Sequence, residues 1–210
     1  MRWGPRGDQP RRRGGARSEI IALQHVKVAG VGEIVAPENC SLEVFIWGGG
    51  ASGSPAFNSN RGGGSGAACY ASFRLRSGQR VPYKVGAGGL SNGQAGTIGR
   101  DGEDSWVQLP SGLVIQAGGG KGVGSGGVAS GGQLNFAGQG SGASSSAGGT
   151  APSFSAGNNF GDFAGGAGSP PGTGSSVGGA PGGGSGGSDG GGPSGAGGVG
   201  RLIYLLCRIV

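Results

Sequence analysis

No stretch of this sequence repeats apolar residues at the three-and-four spacing of an amphipathic helix, and none approaches the ~20 consecutive apolar residues that cross a bilayer. Helical bundles and alternating strand–helix folds are therefore excluded, and no insertion into a membrane is expected. The apolar ending, Leu202 to Val210, reads as a buried strand. Met1 to Ser18 is basic, but the apolar stretch behind it is too short for a secretion signal. Histidine occurs once, and the three cysteines, Cys40, Cys69 and Cys207, form no C-x-x-C pair and have no histidine beside them. A zinc site is not indicated, and the cysteines read as buried free thiols. Charged residues are only 12% of the chain, too few for disorder driven by solvation and self-repulsion.

What the chain has instead is glycine, at 58 of 210 residues. The formal charge of +6 is concentrated in an arm, residues 1–18. There Arg2, Arg6, Arg11, Arg12, Arg13 and Arg17 stand against Asp8, leaving +1 for residues 19–210. A basic arm on a nearly neutral body suits local docking to an acidic surface, to nucleic acid or to a structural partner, and not a domain-wide phosphate-binding face.

From Glu19 to Ala117, short β-type segments alternate with glycine-rich turns. Strands are expected at Ile21–Val28, Gly32–Val35, Ser41–Trp47, Ala67–Arg76, Val81–Val85, Ser105–Leu109, Leu113–Ala117 and Arg201–Val210. Leu42, Val44 and Ile46 share one face, as do Cys69, Ala71, Phe73 and Leu75, and these faces are expected to meet. The last strand is apolar on both sides, so a central position covered on both faces is expected. The fold class that follows is all-β, an antiparallel β-sandwich framework with a long glycine-rich insertion. Its parts are the arm at 1–18, the framework at 19–117, the insertion at 118–200 and the returning strand at 201–210.

In Gly118 to Gly200, 35 of 83 residues are glycine and only Lys121, Asp162 and Asp189 are charged. Ordering so much glycine costs on the order of 1–2 kcal/mol per residue, which few side chains here could offset by burial. Either the segment is disordered or its backbone supplies the bonding. Polyglycine II does so, as an extended threefold helix whose donors are free to bond neighbouring helices. A collagen register is excluded because glycines from Gly165 to Gly200 fall in all three phases.

Patterns of catalysis occur here by composition. Gly183-Gly184-Ser185-Gly186-Gly187 fits a nucleophile elbow without a following helix or a plausible base, and Gly122 to Gly127 fits a dinucleotide fingerprint without a βαβ unit. His25 alternates with Leu23 and Lys27 and reads as a sheet-surface residue. Asp101, Glu103 and Asp104 form the one acidic cluster and read as a turn. No enzyme activity, cofactor or metal is expected. Aromatic and amide residues isolated among glycines are the candidate receptor contacts: Phe57, Asn58, Asn60, Arg61, Phe136, Phe154, Asn158, Asn159, Phe160, Asp162 and Phe163. Such groups at loop tips suit sugar or lipid-headgroup contact, and the alternative is that the phenylalanines cap or cluster under the glycine array.

The series Val35 to Gly50, Gly62 to Ala67, Ser77-Gly78-Gln79, Val85-Gly86-Ala87-Gly88-Gly89 and Ala117-Gly118-Gly119-Gly120 resembles the glycine-rich domain of phage tail-fibre and other virion proteins. The resemblance runs over roughly Val26 to Val210. It departs at Glu38-Asn39 and Ser77, and the arm lies outside it. It implies a β-sandwich carrying polyglycine II-type loops, a virion location, and a structural or adhesive role as a fibre or spike component. The partners it implies are other virion proteins and a host surface glycan or outer-membrane component, met by a homo-oligomer. Two other roles fit the composition: a capsid cement or head-spike protein docked through the arm, and an ice-binding or matrix protein.

Overall fold

All eight strands expected from alternation form, and two more join them. The computed structural model describes residues 19–54, 62–91, 99–122, 124–141, 148–154, 165–166, 168, 177–185 and 194–209, which include no helix. The strands are β1 (Glu19–Val26), β2 (Gly30–Val35), β3 (Cys40–Trp47), β4 (Ala68–Leu75), β5 (Arg80–Val85), β6 (Ser105–Gln108), β7 (Val114–Ala117), β8 (Ala129–Ser130), β9 (Leu134–Phe136) and β10 (Arg201–Arg208). They make two antiparallel five-stranded sheets, ordered β1-β10-β3-β4-β9 and β2-β5-β6-β7-β8. The unexpected pair, β8 and β9, lies inside the glycine-rich insertion and closes one edge of each sheet. These strands are two and three residues long, too short for alternation to reveal.

The sheets pack face to face around Leu42, Val44 and Ile46 of β3, Cys69, Ala71 and Leu75 of β4, and Leu202 and Leu206 of β10. Opposite them lie Ile34, Val81, Val85, Val107, Ile115 and Ala117. The apolar faces of β3 and β4 do not stack on one another. The two strands are neighbours in one sheet, with Val44 opposite Ala71 and Ile46 opposite Cys69, so their inward residues form a single surface that meets the second sheet. β10 is central, between β1 and β3. Its outer residues Ile203, Leu205 and Cys207 join Phe45, Trp47, Ala68, Ala151 and Phe154 in a second buried cluster, which explains its apolar character on both sides.

Past Trp47 the chain continues as Gly48–Ser54, and the bonding changes character. Gly48 N–H donates to Ala67 (3.0 Å) and Ala51 N–H to Gly64 (2.9 Å), both in one neighbouring segment. Gly49 and Ser52 donate to Glu103 and Arg100 of a second segment, each at 2.9 Å, and Gly50 donates to Gly198 of a third at 2.8 Å. The carbonyls of Gly49, Gly50 and Ala51 accept from Gly120, Gly89 and Ser185, which lie in three further segments. A β-strand has two bonded neighbours; this segment has six, and a given partner recurs every third residue. That is the bonding of a threefold extended helix inside a polyglycine II array.

Close approach enforces glycine at the array's contacts. A Cβ on Gly50 would stand 2.5 Å from the carbonyl carbon of Gly183, whereas the next side chain, Ala51, fits fully buried. The array takes segments from both sides of position 118, so the framework and the insertion are built together. Four of its segments, in 48–54, 62–67, 86–89 and 99–103, precede Gly118 in sequence. One of its reversals, at Ala180–Gly182, uses the left-handed backbone of Gly182, with φ at +69°.

Candidate functional site

The array has a proximal end, fused to the sandwich, and a distal end. At the proximal end Gly48, Gly86 and Gly118 continue from β3, β5 and β7, while Ala67 and Gly200 lead into β4 and β10. At about 3.1 Å per residue, Gly48–Ser54 carries the chain roughly 19 Å away from the sandwich. There the segments are tied across: Gly53 N–H to the Ser185 hydroxyl at 2.6 Å, Arg100 N–H to the Ser52 hydroxyl at 2.7 Å, and the Ser141 hydroxyl to the Gly62 carbonyl at 2.6 Å. Ser54, Gly62, Gly99, Ser141 and Ser185 are the described segment ends that stand at this distal end.

Three serines add side-chain bridges to the backbone bonds between segments. The buried Ser185 hydroxyl accepts from Gly53 N–H and donates to the Gly195 carbonyl, each at 2.6 Å. Ser65 accepts from Gln139 N–H at 2.8 Å and donates to Thr150 at 2.9 Å. Ser105 accepts from Gly86 N–H at 2.9 Å and donates to Trp47 at 2.6 Å. Sequence reasoning gave Ser65 and Ser105 no role and met Ser185 only in the elbow-like pattern. The signal was a serine where the array's pattern elsewhere demands glycine. The Ser185 of the elbow-like pattern is thus engaged in the scaffold at both its donor and its acceptor positions.

The acidic cluster works in the same way along the array's flank. Asp101 accepts from Gly122 N–H at 2.8 Å and Asp104 from Gly119 N–H at 2.7 Å, while Lys121 pairs with Asp101 at 3.1 Å. Glu103 pairs with Lys84 at 3.0 Å, and that bond, more than the one from Ala87 N–H, lowers its carboxyl pKa. Each carboxylate accepts from a backbone N–H of a neighbouring segment and so satisfies donors at the array's edge. His25 lies exposed on β1 opposite Ile203, and burial, then Lys27 and Arg201, lower its pKa.

Of the candidate receptor contacts, Phe136 and Phe154 lie within the described residues, and they touch, with ring centroids 5.5 Å apart. Phe154 is 4% exposed and packs edge-on against Trp47 and Phe45, so it belongs to the core and offers no face to a partner. Of the two readings open for these phenylalanines, Phe154 follows the packed one, and its partners Phe45 and Trp47 are what local pattern could not show. Phe136 is 39% exposed beside it. Phe57, Asn58, Asn60, Arg61, Asn158, Asn159, Phe160, Asp162 and Phe163 fall outside the described residues, as do Arg2, Arg6, Arg11, Arg12, Arg13 and Arg17 of the arm.

The described residues that bracket the two candidate groups are far apart. Ser54 and Gly62 bracket the first at the distal end. Phe154 and Gly165 bracket the second at the sandwich, where the Trp47 indole N–H holds Pro152 at 2.7 Å and Gly165 N–H holds the Ser153 hydroxyl at 2.9 Å. No family model and no curated protein matches the chain.

Proposed function

We propose that this protein is a virion surface component of the fibre or spike kind, whose glycine-rich array holds its distal end toward a host envelope component, a surface glycan or an outer-membrane component. One observation carries the reading: at the end remote from the sandwich the described segments that end at Ser54, Gly62, Gly99, Ser141 and Ser185 are locked to one another by backbone and serine bonds. Such a base lowers the ordering cost of binding at that end, which is the advantage of preorganisation. The contact residues on this reading are Phe57, Asn58, Asn60 and Arg61, bracketed by Ser54 and Gly62. The sandwich and the basic arm then face the particle.

The test is competition. Purified protein should block adsorption of the particle to its host, and a Phe57→Ala/Arg61→Ala variant with an unchanged unfolding transition should block at least tenfold less well. Equal blocking by the variant overturns the distal contact. Labelling that places the protein on the capsid shell overturns the fibre role in favour of a cement protein.

A further inference from the structure

The sandwich end opposite the array carries a groove of about 630 Å³ between the two sheets, lined by Asn39, Arg74, Arg76, Gln79 and Ser111 with apolar Leu75, Pro110 and Ile209. Its polar chemistry is one-sided. Arg74 and Arg76 stand two apart at the end of β4, exposed, and neither enters an ion pair among the described residues. The amide oxygen of Asn39 is already taken by Ser77 N–H at 3.0 Å, and that of Gln79 by Arg76 N–H at 2.8 Å. Each amide is thereby oriented with its NH₂ free to donate. The nearest acids do not line the groove: Glu38 and Glu19 are both held by Arg208 at 2.7 Å, and Glu33 by Arg80.

From this we infer an anion-recognition site, in which two guanidiniums, two amide NH₂ groups and the Ser111 hydroxyl meet carboxylates of an acidic peptide segment on the protein that bears this one. Arginine forks suit planar carboxylates bidentately. The apolar lining selects a peptide carrying an aliphatic residue beside its acids over a bare inorganic anion. The chain's own arm is excluded as the occupant by its charge, +5 against a cationic groove. The site is independent of what the distal end meets.

The probe is a fluorescein-labelled peptide, Asp-Leu-Glu-Ile-Asp-Glu, titrated with the full chain at low salt and read by anisotropy. Binding should be saturable and should weaken at least tenfold in Arg74→Gln/Arg76→Gln. It should change less than twofold in Arg11→Gln/Arg12→Gln, which samples the arm. Inorganic phosphate should displace the peptide only at far higher concentration. No binding, retained binding in the groove variant, or loss in the arm variant each overturns the proposal, and displacement by phosphate at peptide concentrations reduces it to a simple anion site and overturns the peptide as occupant. Arg74 and Arg76 are exposed, and near-UV circular dichroism reports whether each variant keeps the fold.

Discussion

The indole N–H of Trp47 donates 2.7 Å to the carbonyl of Pro152, a residue 105 positions later in the chain. Trp47 is the last residue of β3 and is fully buried, and Pro152 lies two residues before Phe154, which packs on the same indole at 4.9 Å. This pair fastens the glycine-rich half of the chain to the outer face of the sandwich. Trp47→Phe removes the donor, and the smaller ring leaves space against Phe154. The expected loss is about 2 kcal/mol in urea unfolding. A change below about 0.5 kcal/mol would show that the glycine-rich half is held by its backbone bonds alone.

Ser185 tests whether the serine relays carry the array. Ser185→Ala strands two buried groups at once, the Gly53 N–H and the Gly195 carbonyl. Leaving both unsatisfied should cost roughly 3 kcal/mol, against almost nothing for Ser111→Ala on the surface. Paired urea titrations distinguish these outcomes, and equal midpoints for the two variants contradict the relay.

Gly50 and Ala51 test the packing. Gly50→Ala drives a methyl into the backbone of Gly183 at a site where no side chain can move aside, and about 3 kcal/mol of destabilisation is expected. Ala51→Gly removes a methyl that already fits and raises backbone freedom in the unfolded chain, for about 1 kcal/mol. Thermal unfolding of both should rank Gly50→Ala well below Ala51→Gly. The reverse order means that the segments can separate without loss.

The sandwich was legible because its strands obey a two-residue period. Leu42, Val44 and Ile46 are buried in phase, and β10 shows its central place through apolar residues on both faces. The array was legible as a need, since so much glycine must find backbone partners, but its membership was not. Gly49 bonds to Glu103 and Gly50 to Gly198, and nothing local to either residue names its partner. For the same reason the sequence left Phe154 between a contact residue and one packed under the array: its core neighbours Phe45 and Trp47 lie more than 100 positions away. Arg74 and Arg76 escaped notice because a strand-end arginine is ordinary until its neighbours are seen to have no acid among them.

The buried cysteines set an alkaline limit on stability. Cys69 is fully buried, its thiol donates to the Asn135 amide oxygen at 3.1 Å, and burial pushes its pKa up to about 11, against a small opposing effect of Gly132 N–H. Burial likewise raises Cys40 and Cys207, and it raises the phenols of Tyr70 and Tyr204. All five shifts have one sign. Above pH 9, the ordinary value of the cysteine thiol, an unfolded chain releases protons that the folded chain keeps. The folded state then binds more protons than the unfolded state, so stability falls as pH rises. The contribution of Cys69 is complete below pH 9 and is lost as pH rises toward about 11. Urea midpoints should hold from pH 7 to 8.5 and drop steadily to pH 10.5, and Cys69→Ala should flatten part of that slope. At pH 8 the same burial should keep Cys69 from reacting with a disulfide reagent until urea unfolds the chain. Rapid reaction of Cys69 in the folded protein, or a midpoint flat through pH 10.5, would remove the thiols from this account.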